Sequence, residues 1–267
     1  MAQKKTKKAK GTSKKTGGKG IFRILGKIVL ILFLLSLFFP LLYRWVNPIA
    51  TPLMLIRKVK GGAAIQKEWV DMDLISPHLV VCAIAAEDNN FLGHNGFDYG
   101  AIERAQKENE KGRRLLGAST ISQQTAKNVF LWPKRSFIRK GMEVYFTFLI
   151  EHFWSKERIM EVYLNVIEMG DGIYGCEAAS QRYFHKPAVK LSRYEAALIT
   201  ACYPAPLKRN PGRPSGYLAG RAAHIAGLSY KFGRISFTEE SIHRAQERYH
   251  NREEKRIARG GKRWGLF

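Results

Sequence analysis

The chain is short of acid. Its 267 residues hold 22 Asp and Glu against 45 Lys and Arg, a formal net charge of +23. The deficit is complete in residues 1–20, where eight lysines meet no carboxylate. Such an excess suits a polyanion (nucleic acid, an anionic membrane face or a phosphate-bearing lipid) and does not choose among them. Cysteine is equally scarce. Cys82, Cys176 and Cys202 cannot all pair with one another, and none has CxxC or Cys/His metal spacing, so no disulfide framework is encoded. Their apolar or small neighbours read them as core residues, with a site role for one of them as the alternative. Internal repeats, sustained strand-like alternation and metal-ligand clusters are absent from the sequence. The length suits one globular domain with appendages.

One long apolar run is present. Residues 28–43, IVLILFLLSLFFPLLY, carry no charge and lie between Lys27 and Arg44. As a helix they span about 24 Å, somewhat short of a bilayer's hydrocarbon core. Snorkelling by the flanking cations and extension through 21–24 and 45–46 make a full crossing feasible. The lysine tail before the run predicts a cytoplasmic N-terminus, with Tyr43 and Trp45 at the far interface. A cleaved signal peptide and a buried core helix are the competing readings. No small-x-small site follows the run, and a core helix leaves the lysine tail unexplained. The expected organisation is a basic tail over 1–20, a transmembrane anchor over 21–46, a tether over 47–73, a domain over 74–215 and a basic extension over 216–267. A domain outside the cytoplasm argues against nucleic acid as partner.

Within the domain, helical periods predominate. Ser76 and Pro77 suit an N-cap and first turn, opening an apolar helix whose far end carries Glu87 and Asp88. A carboxylate at the negative end of a helix dipole and against a dry wall has its pKa raised, which suits it to moving a proton. Solvated acids at a helix end are the plainer reading. Phe91, His94, Gly96 and Asp98 follow as a loop, and residues 103–114 read as a charged, solvated stretch ending in the mobile-looking GRRLLG. In GASTISQQTAKN, Ser119 or Thr120 can cap a helix and Thr120 with Gln123 matches a capping box. That helix start is a ready anion site, and Gln123, Gln124 and Lys127 share a face. An ordinary capped helix with a surface lysine remains open. Arg135, Arg139 and Glu143 fall at i, i+4 and i+8, either a surface ion pair or a carboxylate held among cations with Arg135 available to a phosphate. Residues 144–154 are strongly apolar, either core or a membrane-dipping face. Ser155 caps a helix over KERIMEVYLN, Ser192 and Glu195 make a capping box before LSRYEAALIT runs to Pro204, and a last helix is predicted over 238–257.

Taken in order, EDNNFLGHNGFD, GASTISQQTAKN, RKGME and KERIMEVYLN resemble the motifs of the peptidoglycan glycosyltransferase family over residues 74–211. With no transpeptidase domain following, the likeness is to its monofunctional, membrane-anchored biosynthetic members. The resemblance implies a mainly α, lysozyme-like, two-lobed glycosyltransferase domain behind an N-terminal transmembrane helix. It implies a substrate, lipid II, polymerised into β-1,4-linked glycan with inversion and loss of undecaprenyl pyrophosphate. Carried over by position, Glu87 becomes the general base and Glu143 the second essential carboxylate. Lys127 and Arg135 match cations that steady the pyrophosphate, and Ser119, Gln123, Gln124, Arg139 and Lys140 line the same cleft. A divalent cation, Mg²⁺ or Mn²⁺, is implied without identifiable ligands. Implied partners are lipid II, the growing strand, the membrane and other cell-wall synthesis or division proteins. The implied location is the bacterial inner membrane, single-pass, with the catalytic domain on its outer side. Ala118 and Ser122 replace a glycine and a threonine usual in the family, and Asn89 and Asn90 stand where basic residues are common. The rivals are a lytic enzyme of similar fold using Glu87 as an acid, and a non-catalytic cell-wall scaffold.

Overall fold

The computed structural model describes residues 17–112, 117–134 and 136–261, with side chains from residue 22. Residues 1–16, four residues of the GRRLLG stretch (113–116), Arg135 and the end 262–267 lie outside the described residues. Contacts divide the chain into two units, 1–39 and 40–267. In the first, helix α1 (Gly17–Leu42) carries the apolar run, and its segment Phe22–Leu42 is long and apolar enough to cross a membrane. It fits a single-pass anchor, its apolar side chains being exposed instead of packed.

The second unit is mainly α. Ten more helices follow among the described residues: α2 (Pro52–Val59), α3 (Pro77–Glu87), α4 (Tyr99–Glu110), α5 (Ile121–Phe130), α6 (Phe137–Phe153), α7 (Lys156–Val166), α8 (Cys176–Phe184), α9 (Arg193–Cys202), α10 (Gly216–Phe232) and α11 (Glu239–Ala258). The only sheet among those residues has three short strands in the order β1 (Gln66–Lys67), β3 (Ile173–Tyr174), β2 (Glu168–Gly170). Segment 47–73, read from sequence as a tether, carries α2 and β1, and Asn165 receives the Val70 N–H at 3.0 Å.

The starts of these helices follow from their caps. Ser76, Thr120, Ser155 and Ser192 each accept a backbone N–H in the first turn of α3, α5, α7 and α9, as their positions predict. Residues 103–110, expected to be solvated, belong to α4, which Asp98 caps and which buries Glu103 and Ala105. Local polarity misled there, because one face of a charged helix still packs. Helix α6 begins at Phe137 behind the Ser136 cap and carries Arg139 and Glu143 of the expected face, whose first member, Arg135, lies outside the described residues. Helix α3 is apolar nearly all round and is enclosed by α9 and α10, as an all-round hydrophobic helix must be. On the other side α5 packs between α6 and α7. Helix α6 turns Phe146, Leu149 and Ile150 inward, so the apolar run 144–154 is in part core, and leaves Phe137, Ile138, Val144 and Phe148 exposed. All three cysteines are buried and free, and burial pushes the Cys176 and Cys202 thiols up to about 12 and about 11, which makes them inert.

Candidate active site

Two neighbouring carboxylates at the end of α3 meet different fates. Asp88 is saturated. His94 Nε2 lies 2.9 Å from its Oδ1, and the Ile121 N–H at the start of α5 donates to its Oδ2 at 3.0 Å. The Gly96 N–H donates to His94 Nδ1 at 3.1 Å, which leaves the ring proton on Nε2, directed at Asp88. Glu87 receives one neutral donor, Gln124 Nε2, at 2.8 Å. The amide is oriented by Tyr163, whose hydroxyl donates to Gln124 Oε1 at 3.3 Å. Burial therefore pushes the Glu87 carboxyl above the usual carboxylate range, and the adjacent Asp88 adds to this. Gln124 and the charges of Arg221 and Lys127 oppose it without reversing it.

Loop 88–98 is pinned from several elements, which fixes Glu87 in turn. Thr120 Oγ1 donates to the Gly96 carbonyl at 2.6 Å while capping α5, and Gly96 itself sits at φ +88°, where a side chain would also strike Thr147. Lys156 is buried beneath the loop. It donates to the His94 carbonyl at 2.5 Å and to Glu151 at 2.8 Å, and Ser122 Oγ donates to Glu151 as well. Such a satisfied polar network over-determines the position of the loop.

Glu143, on α6, is buried and doubly paired. Arg139 donates to one oxygen at 3.0 Å and Lys140 to the other at 2.6 Å. Lys127 projects from α5 between the two acids. It feels the charge of both Glu143 and Glu87, yet among the described residues no ion pair holds it, and desolvation lowers its pKa. Two cavities result. One, of about 460 Å³, is lined by Gln123, Gln124, Lys127, Arg139, Lys140 and Glu143. The other, of about 430 Å³, is lined by Glu87, Asp88, Asn90, Arg104 and Arg252. Ser119 lines both. A cation-rich cavity beside one holding a proton-accepting carboxylate is the arrangement that displacement of an anionic leaving group by a hydroxyl requires.

Residues 54–228 match the family model described as Transglycosylase. The chain belongs to the transglycosylase family. The transglycosylase is 53% identical over 215 residues to a protein of Bacteroides thetaiotaomicron named biosynthetic peptidoglycan transglycosylase, covering 79% of this chain and 87% of that one. Proteins of the same name from Shewanella oneidensis (45% over 233 residues, 86% and 99%) and Escherichia coli (55% over 174 residues, 65% and 72%) are also similar to it. Membership brings with it the lysozyme-like glycosyltransferase fold expected from the motifs.

In the transglycosylase the sequence-derived residues Glu87, Glu143, Ser119, Gln123, Gln124, Lys127, Arg139 and Lys140 come together around the two cavities, and Arg135 lies outside the described residues. Gln123 Oε1 is engaged in the cap of α5, accepting from the Thr120 N–H at 3.0 Å. Residues that the sequence did not single out are Arg221 of α10, whose charge reaches Glu87, Tyr163, and the Glu151–Lys156 pair. Arg221 had no local signal, because it is brought to Glu87 only by the packing of α10 on α3. Helix α11 also reaches the site: Arg252 donates to Asn90 Oδ1 at 2.8 Å, and Tyr249 hydrogen-bonds the backbone of Phe97 and Tyr99. Among the described residues no group of three or more His, Cys, Asp or Glu converges as a metal site, and both Glu143 oxygens are taken by cations. The described residues therefore present no converging ligand set for a divalent cation.

Proposed function

We propose that the chain is a membrane-anchored peptidoglycan glycosyltransferase that polymerises lipid II. Glu87 takes the proton from the 4-hydroxyl of the acceptor's terminal sugar, and that oxygen forms its bond to C1 of the donor sugar. The bond from C1 to the phosphate oxygen breaks, undecaprenyl pyrophosphate leaves, and attack from the opposite face inverts α to β. The observation that carries this reading is Lys127, a desolvated cation outside any ion pair among the described residues, set between a raised-pKa carboxylate and a second, cation-clamped one. Unsatisfied positive charge in a partly dry cavity is what a departing pyrophosphate needs. A glycan-cleaving enzyme would gain nothing from it. Arg139 and Lys140, held by Glu143, present further donors to the same cavity, and Arg135 is assigned there from its motif position. Catalysis at a bilayer is supported by α1 and by the exposed Phe137, Ile138, Val144 and Phe148 on α6. The eight lysines before α1 support a cytoplasmic N-terminus, and with it a domain on the outer side of the bacterial inner membrane.

Incubating the purified protein with labelled lipid II in detergent tests this. Wild type should make lysozyme-sensitive polymer, and Glu87→Gln should lose about 10²–10⁴-fold in rate, the span of general-base contributions. Cleavage of preformed glycan without polymer formation would establish the lytic reading instead.

A further inference from the structure

Beyond the residues that match the family lies α11, and its charges are sorted by face. Arg244, Arg248, Arg252 and Lys255 fall at i, i+4, i+8 and i+11, one stripe about 16 Å long. Of the acids, Glu240 precedes Arg244 by one turn on the same line, while Glu247 and Glu254 are paired to histidines, His243 and His250. Across from the stripe stand Lys231, at the end of α10, and Arg234 in the turn after it. Together they line a groove of about 900 Å³, within the range of ligand-binding cavities, and none of its lining residues is Asp or Glu. Among the described residues, Arg244 alone of these cations has an acidic partner, Glu240, at 3.7 Å. Like charges four apart on a helix destabilise it, so this stripe carries a standing repulsion that an anionic ligand would relieve.

The groove is continuous with the site. Asn89, Asn90 and Arg252 line both it and the cavity that holds Glu87. Its junction is firm, since α11 approaches so closely that a Cβ on Gly93 would lie 2.7 Å from Tyr249 Cβ. We propose that this groove binds the peptide of the acceptor substrate through several of that peptide's carboxylates, Arg248 and Arg252 being the nearest contacts beyond the sugar. The inference rests on the polymerase reading: lipid II is a disaccharide-peptide on undecaprenyl pyrophosphate, Glu87 meets the 4-hydroxyl of the acceptor's terminal sugar, and the adjoining sugar carries the peptide. Cations spaced along a stripe suit carboxylates spaced along an extended peptide. A compact pyrophosphate would call for convergent cations, which the neighbouring cavity has. The chain is thereby selective for acceptors with an acidic peptide.

A single-coupling assay with full-length protein tests the proposal. The donor is lipid II with its terminal 4-hydroxyl methylated, which cannot accept. The acceptors are lipid II analogues with a carbon-linked phosphonate, which cannot leave, carrying either the acidic peptide or the same peptide with its carboxylates amidated. For wild type the acceptor KM should be about tenfold higher with the amidated peptide, a gap that salt narrows. In Arg244→Ala/Arg248→Ala and in Arg248→Glu the ratio should fall to about one, with the donor KM held. Equal KM values for the two peptides in wild type overturn the proposal, and that comparison needs no variant to fold. A defect in the variants that is equal for both peptides and appears only on vesicles containing anionic phospholipid also overturns it, assigning the groove to the membrane surface. If wild type couples neither acceptor, the polymerase reading itself fails and the inference falls with it.

Discussion

Glu87 and Asp88 are consecutive carboxylates, and what separates them is the number and kind of their donors. Asp88 accepts from an imidazole and a helix-terminal N–H, whereas Glu87 has one amide and a dry surrounding. The folded protein holds the Glu87 proton more tightly than the unfolded chain does, so stability falls as pH rises from the ordinary carboxylate pKa through the raised one. Glu87→Gln removes that cost. Its melting temperature should exceed that of wild type at neutral pH, and the gap should close in acid, as differential scanning at several pH values will read. The same shift sets activity: the acid limb of the kcat/KM profile should lie above the ordinary carboxylate range, since a base must be ionised to act. Lys127→Ala should lower kcat by about 10²–10³-fold, the scale of losing one donor to a developing anion, measured with saturating lipid II. An unchanged kcat would place the pyrophosphate elsewhere.

At the scale of elements, the start of α5 is the hinge of the site. Thr120 caps it, ties it to Gly96 and thereby sets the distance between Lys127 on α5 and Glu87 at the end of α3. Thr120→Val keeps the shape and deletes both hydrogen bonds. It should cost about 1–2 kcal/mol of stability, the worth of a protein N-cap, read as a shift in denaturant midpoint. The capping boxes at Thr120 and Ser192 were legible in the sequence because their hydrogen bonds are local, spanning three residues. The burial of Glu103 in α4 was not, because its partner Arg256 comes from the distant α11.

For the whole molecule, the anchor and the catalytic body are separate in their contacts. Deleting residues 1–39 should move the protein from the membrane pellet toward the supernatant while leaving polymer formation in detergent intact. Loss of all activity there would show that α1 is needed for chemistry as well as for location. The net charge of +23 has more than one use. In the proposed function the lysines of 1–20 bear on orientation, Lys127 with Arg139 and Lys140 on the leaving group, and the stripe of α11 on the acceptor.

The sequence by itself determined what depends on near neighbours: the apolar run of α1, the helix caps, the ion-pair spacing of Arg139 and Glu143 one turn apart, and the family through four motifs in fixed order. Glu87, Lys127 and Glu143 were legible as candidates because each sits in a motif; the resemblance alone implied a shared cleft, and the structure distributes them over two cavities that have Ser119 in common. Only the tertiary structure decided which of two adjacent acids is desolvated, that Arg221 faces Glu87, and that α11 closes on the Glu87 loop. Those outcomes rest on dehydration and on contacts across more than a hundred residues. Neither leaves a periodicity in the chain, because burial is a property of what surrounds a side chain and not of its neighbours in sequence.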